Sequence, residues 1–264
     1  MRAAFRYEFL MQARKRSMWI ANGVIVALLG LVSARSLGDV LDDPSARETM
    51  ASTAVLVNLV LPIVYGCFLA DRLVRDNRLG VAAILDATPG SAAARLAGKY
   101  LGSCAVATIP PAIVYFGFAV LYAGVSGQPV ALAWAAALFA TVIAPAVLFV
   151  GAFALVVPLL IPAPLFRVLF VGYWFWGNAI SPSLMPTLSQ SLVTPLGSYP
   201  LQELFGYPAP DDGVRIAGPA PGATLNFLRP EATAATAWLS IGVLLAIAAL
   251  VLTAAPALRA RTIR

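Results

Sequence analysis

Apolar residues along this chain come in long runs that charge does not interrupt. Thr49 to Ala70 is one such run, with Pro62 inside it. From Tyr100 to Phe166 there is no charged residue for 67 positions. At about 20 residues per crossing, that stretch holds two or three membrane spans. The weak turn Ala123 to Pro129 divides it into spans at about 100–122 and 130–157, and Pro158, Pro162 and Pro164 mark the turn that follows. Earlier, Trp19 to Ala34 reads as a first span, extended to about Ser17 by an interfacial Trp19. Later, Leu165 to Ile180 reads as a fifth, rich in aromatic residues, and Ala232 to Leu258 as a sixth. The pattern predicts an all-α polytopic membrane protein with six transmembrane helices, residues 1–264 forming a single transmembrane domain.

The polar segments between these runs carry the organisation. Residues 1–18 hold five basic residues and one acidic residue. Phe5, Phe9 and Ala13 share a face, with Glu8, Gln12 and Lys15 on a neighbouring one. This predicts an interfacial helix lying along the membrane surface; a disordered basic leader is the alternative. A signal peptide cleaved after Val32-Ser33-Ala34 competes with the first span, but the leader is long for one and contains Glu8. Residues 35–48 form an acidic hairpin with Asp39, Asp42, Asp43 and Glu48. Residues 71–99 carry five basic and three acidic side chains in 29 positions. Such a segment cannot sit in lipid, and its pattern predicts two short helices broken at Thr88-Pro89-Gly90. The first would run from about Arg72 to Ala87, the second from about Ser91 into the next span. Residues 181–231 are rich in Pro, Gly, Ser and Thr and too long for a simple turn. They read as an extracytoplasmic loop with short helices dipping back towards the interface.

Composition sharpens this picture. The chain is 60% hydrophobic and 11% charged, where soluble domains carry about 25% charged residues. The net charge of +6 would point to nucleic acid on a soluble surface. Here the basic residues cluster at the ends of apolar runs, so they speak for topology and lipid headgroups and against a nucleic-acid partner. With both termini inside the cell, fourteen of the 18 Lys and Arg residues fall on the cytoplasmic side, and Arg35, Arg47, Arg215 and Arg229 fall outside. The positive-inside rule therefore predicts a multi-pass protein of the cell membrane with both termini cytoplasmic.

Candidate chemistry is sparse. There is no histidine, and Cys67 and Cys104 both fall inside predicted spans. No metal-ligand spacing or catalytic constellation is present, so no metal site, no catalytic residue and no enzymatic activity are expected. The predicted spans hold no Asp, Glu, Lys or His, and Arg167 sits at a helix end. Ion-coupled carriers place ionisable groups in the membrane, so a stand-alone carrier is disfavoured. Asn22, Asn58, Asn178, Tyr65 and Tyr115 read as helix–helix hydrogen-bonding groups. No internal repeat of the kind that builds many carriers is evident. Gly98-Lys99-Tyr100 lacks the upstream glycines and the hydroxyl of a phosphate-binding loop.

Two stretches carry a family resemblance. The leader Phe5 to Ile20 and the segment Ala70 to Gly102 resemble the permease subunits of ABC-2 type ABC transporters. The resemblance is most specific at Ala70-Asp71-Arg72, Arg75-Asp76, Leu85-Asp86-Ala87-Thr88-Pro89 and Gly98-Lys99-Tyr100-Leu101-Gly102. It implies a six-span half-size subunit without its own ATPase, paired with a second copy or a sister permease in the lipid bilayer. A separate ATPase subunit would bind ATP and Mg, leaving this chain without a cofactor. The resemblance also implies that the N-terminal helix and the 71–99 loop meet the ATPase. Arg72, Arg75, Asp76 and Arg78 would then be contact or loop-bracing residues, and Thr88, Pro89 and Gly90 would shape the turn entering the ATPase groove. The expected activity is export of a hydrophobic or amphipathic substrate. The alternative is a non-transporting membrane anchor that recruits a partner protein or passes ATPase motion to it.

Overall fold

The structure is a computed structural model that describes residues 1–14, 45–78, 91–208 and 215–262, with positions 16, 19, 20, 23, 24 and 27; the side chains of 76–78 and 259–262 are not described. Most of the predicted first span, the acidic hairpin up to residue 44 and the loop over 79–90 lie outside the described residues. Among those described, the architecture is all-helical. Four helical stretches are long and apolar enough to cross a membrane: Ala46–Arg75, Ala92–Ser126, Val130–Leu159 and Ala234–Leu258.

Helix α1 is Arg2–Ala13. Helix α2, Ala46–Leu69, starts three residues earlier than its apolar run. Ser45 and Glu48 explain this, because the Ser45 hydroxyl accepts from the Glu48 N–H at 3.3 Å and donates to the Glu48 carboxylate at 3.2 Å, satisfying an orphan donor of the first turn. After a turn at Ala70-Asp71 the chain continues as α3, Arg72–Arg78, the described start of the first predicted loop helix. Helix α4, Ala92–Ser126, begins at an N-cap Ser91 and runs unbroken through Pro110-Pro111 to Gly127. The second loop helix and the third predicted span are thus one element of 35 residues. Gly127 ends it with φ of 67°, a left-handed conformation that glycine adopts without strain.

The next span comprises α5 (Val130–Leu138), a π-helical turn (Phe139–Ile143), α6 (Ala144–Val156) and a closing 3-10 turn (Val157–Leu159). The π turn sits just before Pro145. Proline has no N–H and its ring crowds the carbonyl one turn back. The helix widens there, with the Ala144 N–H reaching the Phe139 carbonyl five residues earlier. This span is the centre of the bundle, 72% buried, and α2, α4 and α9 (Ala234–Thr262) pack around it. Helix α9 lies at the edge, with only 17% of its span buried. Aromatic side chains tie the helices by their polar tips. Tyr115 donates to the Met50 carbonyl at 3.0 Å and Tyr100 to that of Leu148 at 2.8 Å, while the Trp174 indole donates to that of Leu59 at 2.7 Å.

Helix α7, Ala163–Asn178, occupies the predicted fifth span and packs against α2. It has 16 residues, about 24 Å at 1.5 Å per residue, short of the roughly 30 Å of a hydrocarbon core. Residues 179–233 do not hang free. The described ones, 179–208 and 215–233, form a cap that contains α8 (Ser198–Phe205) and a 3-10 turn (Asn226–Leu228). Asn58 of α2 donates to the Pro195 carbonyl at 2.8 Å, Thr194 donates to Asn178 of α7 at 2.8 Å, and Ser240 of α9 donates to the Leu192 carbonyl at 2.9 Å. Asn58 and Asn178, expected to join helices, therefore fasten the cap to the bundle, whereas Tyr115 joins α4 to α2 as expected. Arg229, expected as an outer cation, is 1% exposed inside the cap. Its guanidinium donates to the carbonyls of Ser189 (3.0 Å), Thr224 (2.8 Å) and Thr187 (2.5 Å).

Candidate functional site

The end of the bundle opposite the cap is built around Asp71-Arg72, where α2 passes into α3. Helix α1 reaches this point by lying against the first turns of α4. Glycines permit the approach. A Cβ on Gly98 would come within 2.7 Å of the Met1 carbonyl oxygen, and one on Gly102 within 2.8 Å of that of Phe5. Glycines four residues apart share one helix face and let two backbones touch. That spacing gives the Gly98 to Gly102 string a packing role.

The close approach turns the polar face of α1 inward. Phe5 is exposed and Phe9 half-buried, whereas Glu8 and Gln12 are buried. The Gln12 amide donates to the Glu8 carboxylate at 2.8 Å and to the Ser103 hydroxyl at 2.6 Å. Glu8 faces Arg72 across 3.6 Å, and the two side chains are 1% and 4% exposed. The pair is incompletely satisfied, because Glu8 Oε2 and Arg72 Nε and Nη1 make no hydrogen bond. Helix α1 is therefore pinned to the bundle through a buried ion pair on its polar face, with Phe5 on its outer face. Nothing in the local pattern of residues 1–18 reports this, since the partner lies far along the chain.

Asp71 points the other way. It forms an ion pair with Arg167 near the start of α7, whose Nε also donates to the Cys67 carbonyl at 3.1 Å. These side chains are 49% and 39% exposed. Two adjacent residues thus hold two different elements, α1 through a dry contact and α7 through a wet one.

Of the predicted contact residues, Arg72 is a brace and not a surface group. Arg75 is exposed. The side chains of Asp76 and Arg78, and Thr88, Pro89 and Gly90 entirely, lie outside the described residues. Sequence reasoning missed Glu8, Gln12, Ser103 and Arg167 as members of this site. The spacing of Gly98 and Gly102 was the one visible signal that a backbone would lie on that face. No family model, curated protein or solved structure matches this chain.

Proposed function

We propose that this chain is the membrane-spanning permease subunit of an ATP-driven exporter of the ABC-2 type. In this reading it crosses the cell membrane six times with both termini cytoplasmic and works beside a second copy or a sister permease. A separate ATPase binds ATP and Mg and docks on the 71–99 loop. The substrate is hydrophobic or amphipathic, in keeping with an apolar, aromatic membrane body. The observation that carries the proposal is the double anchorage of Asp71-Arg72 at the root of the loop. A load applied to the loop reaches α1 through Glu8 and α7 through Arg167. Such a load produces motion only if the partner's nucleotide states bind the loop differently.

The test is co-purification from native membranes under gentle crosslinking, comparing the wild type with Arg75→Glu. Arg75 is the residue to reverse, since it is exposed and Arg72 is not. Recovery of an ATPase subunit with the wild type and its loss with Arg75→Glu is the expected result. Failure to recover any ATPase would remove the permease reading. The anchor reading then gains from the cap, a folded structure stitched to the bundle at the end away from the loop. ATP turnover stimulated by substrate separates the permease from an anchor, whose partner's turnover would respond only to an external protein.

A further inference from the structure

We propose that the cleft between the cap and the bundle is a binding site for one small, uncharged amphiphile: a short single-chain molecule with one hydroxyl or amide end. The cavity has a volume of about 270 Å³. Cavities of about 150 Å³ hold benzene, so by proportion this one takes about ten non-hydrogen atoms. Its walls come from three places: Val55 of α2, Ile180 after α7, and Leu196, Leu201 and Ile216 of the cap. Among the described residues, no acidic or basic side chain lines it. A charged ligand would lose its hydration there with no counter-charge to replace it.

The polar end of the ligand is specified by which groups remain uncommitted. Asn178 and Ser189 also line the cavity, but both are engaged. Asn178 accepts from Thr194 and donates to the Trp174 carbonyl, and Ser189 donates to the Ile180 carbonyl. The Gln190 amide and the Ser198 hydroxyl line it without a hydrogen-bond partner among the described residues. Gln190 is held at φ of 58°, a left-handed backbone that a residue of this kind seldom adopts. The Gly218 N–H, 3.3 Å from its carbonyl, and the cross-cap bond from Leu192 N–H to the Leu228 carbonyl at 2.9 Å fix the segment around it. A strained residue held by its surroundings, with an unused amide at the wall of an apolar cavity, is arranged for a ligand and not for packing.

The experiment uses the full chain in lipid nanodiscs and an aliphatic alcohol of about ten carbons bearing a diazirine, with unlabelled 1-decanol as competitor. The expected result is saturable photolabelling of the peptides around Val55, Gln190 and Leu201. Gln190→Gly keeps the backbone conformation and removes the amide, and weakens saturation by about tenfold, the worth of one hydrogen bond. Gln190→Asn tolerates the same backbone and keeps the amide, and holds affinity within about threefold. Both variants are checked for the wild-type melting profile. Labelling that does not saturate and spreads over the exposed apolar face of α4 and α9 would overturn the proposal. So would Gln190→Gly binding like the wild type, or a decane probe without the hydroxyl labelling equally well. None of these outcomes bears on the ATPase partner, so the site stands or falls apart from the transport reading.

Discussion

Removing Glu8 alone exposes the logic of the buried pair. At 3.6 Å the two charges attract by about 5 kcal/mol at an effective dielectric near 20. Dehydrating two ions costs several kcal/mol each, and three of their polar atoms have no partner to offset it. The pair therefore adds little net stability, yet losing one half is expensive. Glu8→Gln leaves a guanidinium that cannot shed its charge in a site 4% exposed, at a cost of about 3–5 kcal/mol. Arg72→Met leaves the Glu8 carboxylate with the Gln12 amide still donating to it at 2.8 Å, so its penalty is smaller. Glu8→Met combined with Arg72→Met removes both charges and keeps the Gln12–Ser103 bond, returning close to wild-type stability. Helix α1 reports these changes directly. Trypsin cleaves after the exposed Arg6 only when α1 opens, and about 3 kcal/mol corresponds to a rise of more than a hundredfold in the open population. The expected order of cleavage is Glu8→Gln fastest, Arg72→Met intermediate, and the double variant within about tenfold of wild type. Cleavage of Glu8→Gln near the wild-type rate, or a double variant as labile as Glu8→Gln, would refute the reasoning.

Gly102→Ala places a methyl 2.8 Å from a backbone oxygen of α1 and should loosen α1 by about 1–3 kcal/mol, read by the same cleavage assay; Gly117→Ala, with nothing within 4 Å, should be neutral or slightly stabilising. Arg229→Met strands three carbonyls in the cap and should lower its stability by about 3–5 kcal/mol, seen as proteolysis within the cap while α1 stays protected. Burial pushes the Tyr199 phenol up to about 12 from 10.0, with Arg229 pulling partly against it. Because the folded-state value is the raised one, the cap keeps this stability below pH 10 and loses it as pH rises towards 12. Alkaline melting followed by near-ultraviolet absorbance should show this loss in the wild type and not in Tyr199→Phe.

The helices were legible because runs apolar enough to cross a bilayer cannot carry unpaired charge, so Lys99 and Arg167 bracket the uncharged stretch between them. Other features needed information that a run of apolar residues does not hold. The start of α2 was written in Ser45 and Glu48 as a cap, but their charge and polarity also fit a hairpin. The shortness of α7 follows from where the cap begins at Ala179. The inward face of α1 was not readable, since the residues that draw Glu8 and Gln12 inward, Arg72 and Ser103, lie far along the chain. Arg229 looked like an outer-loop cation because sequence position says nothing about three converging carbonyls. The glycines at 98 and 102 carried a readable signal for close backbone contact, without naming α1 as the element that makes it.

The unequal burial of the two ion pairs bears on how a load would pass through the bundle. Asp71–Arg167 is half-exposed and, like other wet pairs, contributes at most about 1 kcal/mol. Helix α1 is held by more than its ion pair, through the Gly98 and Gly102 contacts with α4 and the Gln12–Ser103 bond. A force on the loop would therefore release α7 from α2 before it releases α1, so α1, α3 and the start of α4 would move as one body. Asp71→Asn tests this division. It should leave the melting profile and the α1 cleavage rate within about 1 kcal/mol of wild type, and under the proposed permease function it should change how tightly a partner ATPase's turnover follows substrate. If Asp71→Asn instead melted the bundle, the exposed pair would be structural and the hinge would have to lie elsewhere. If it altered neither stability nor coupling, the load would run through Arg72 and Glu8 alone.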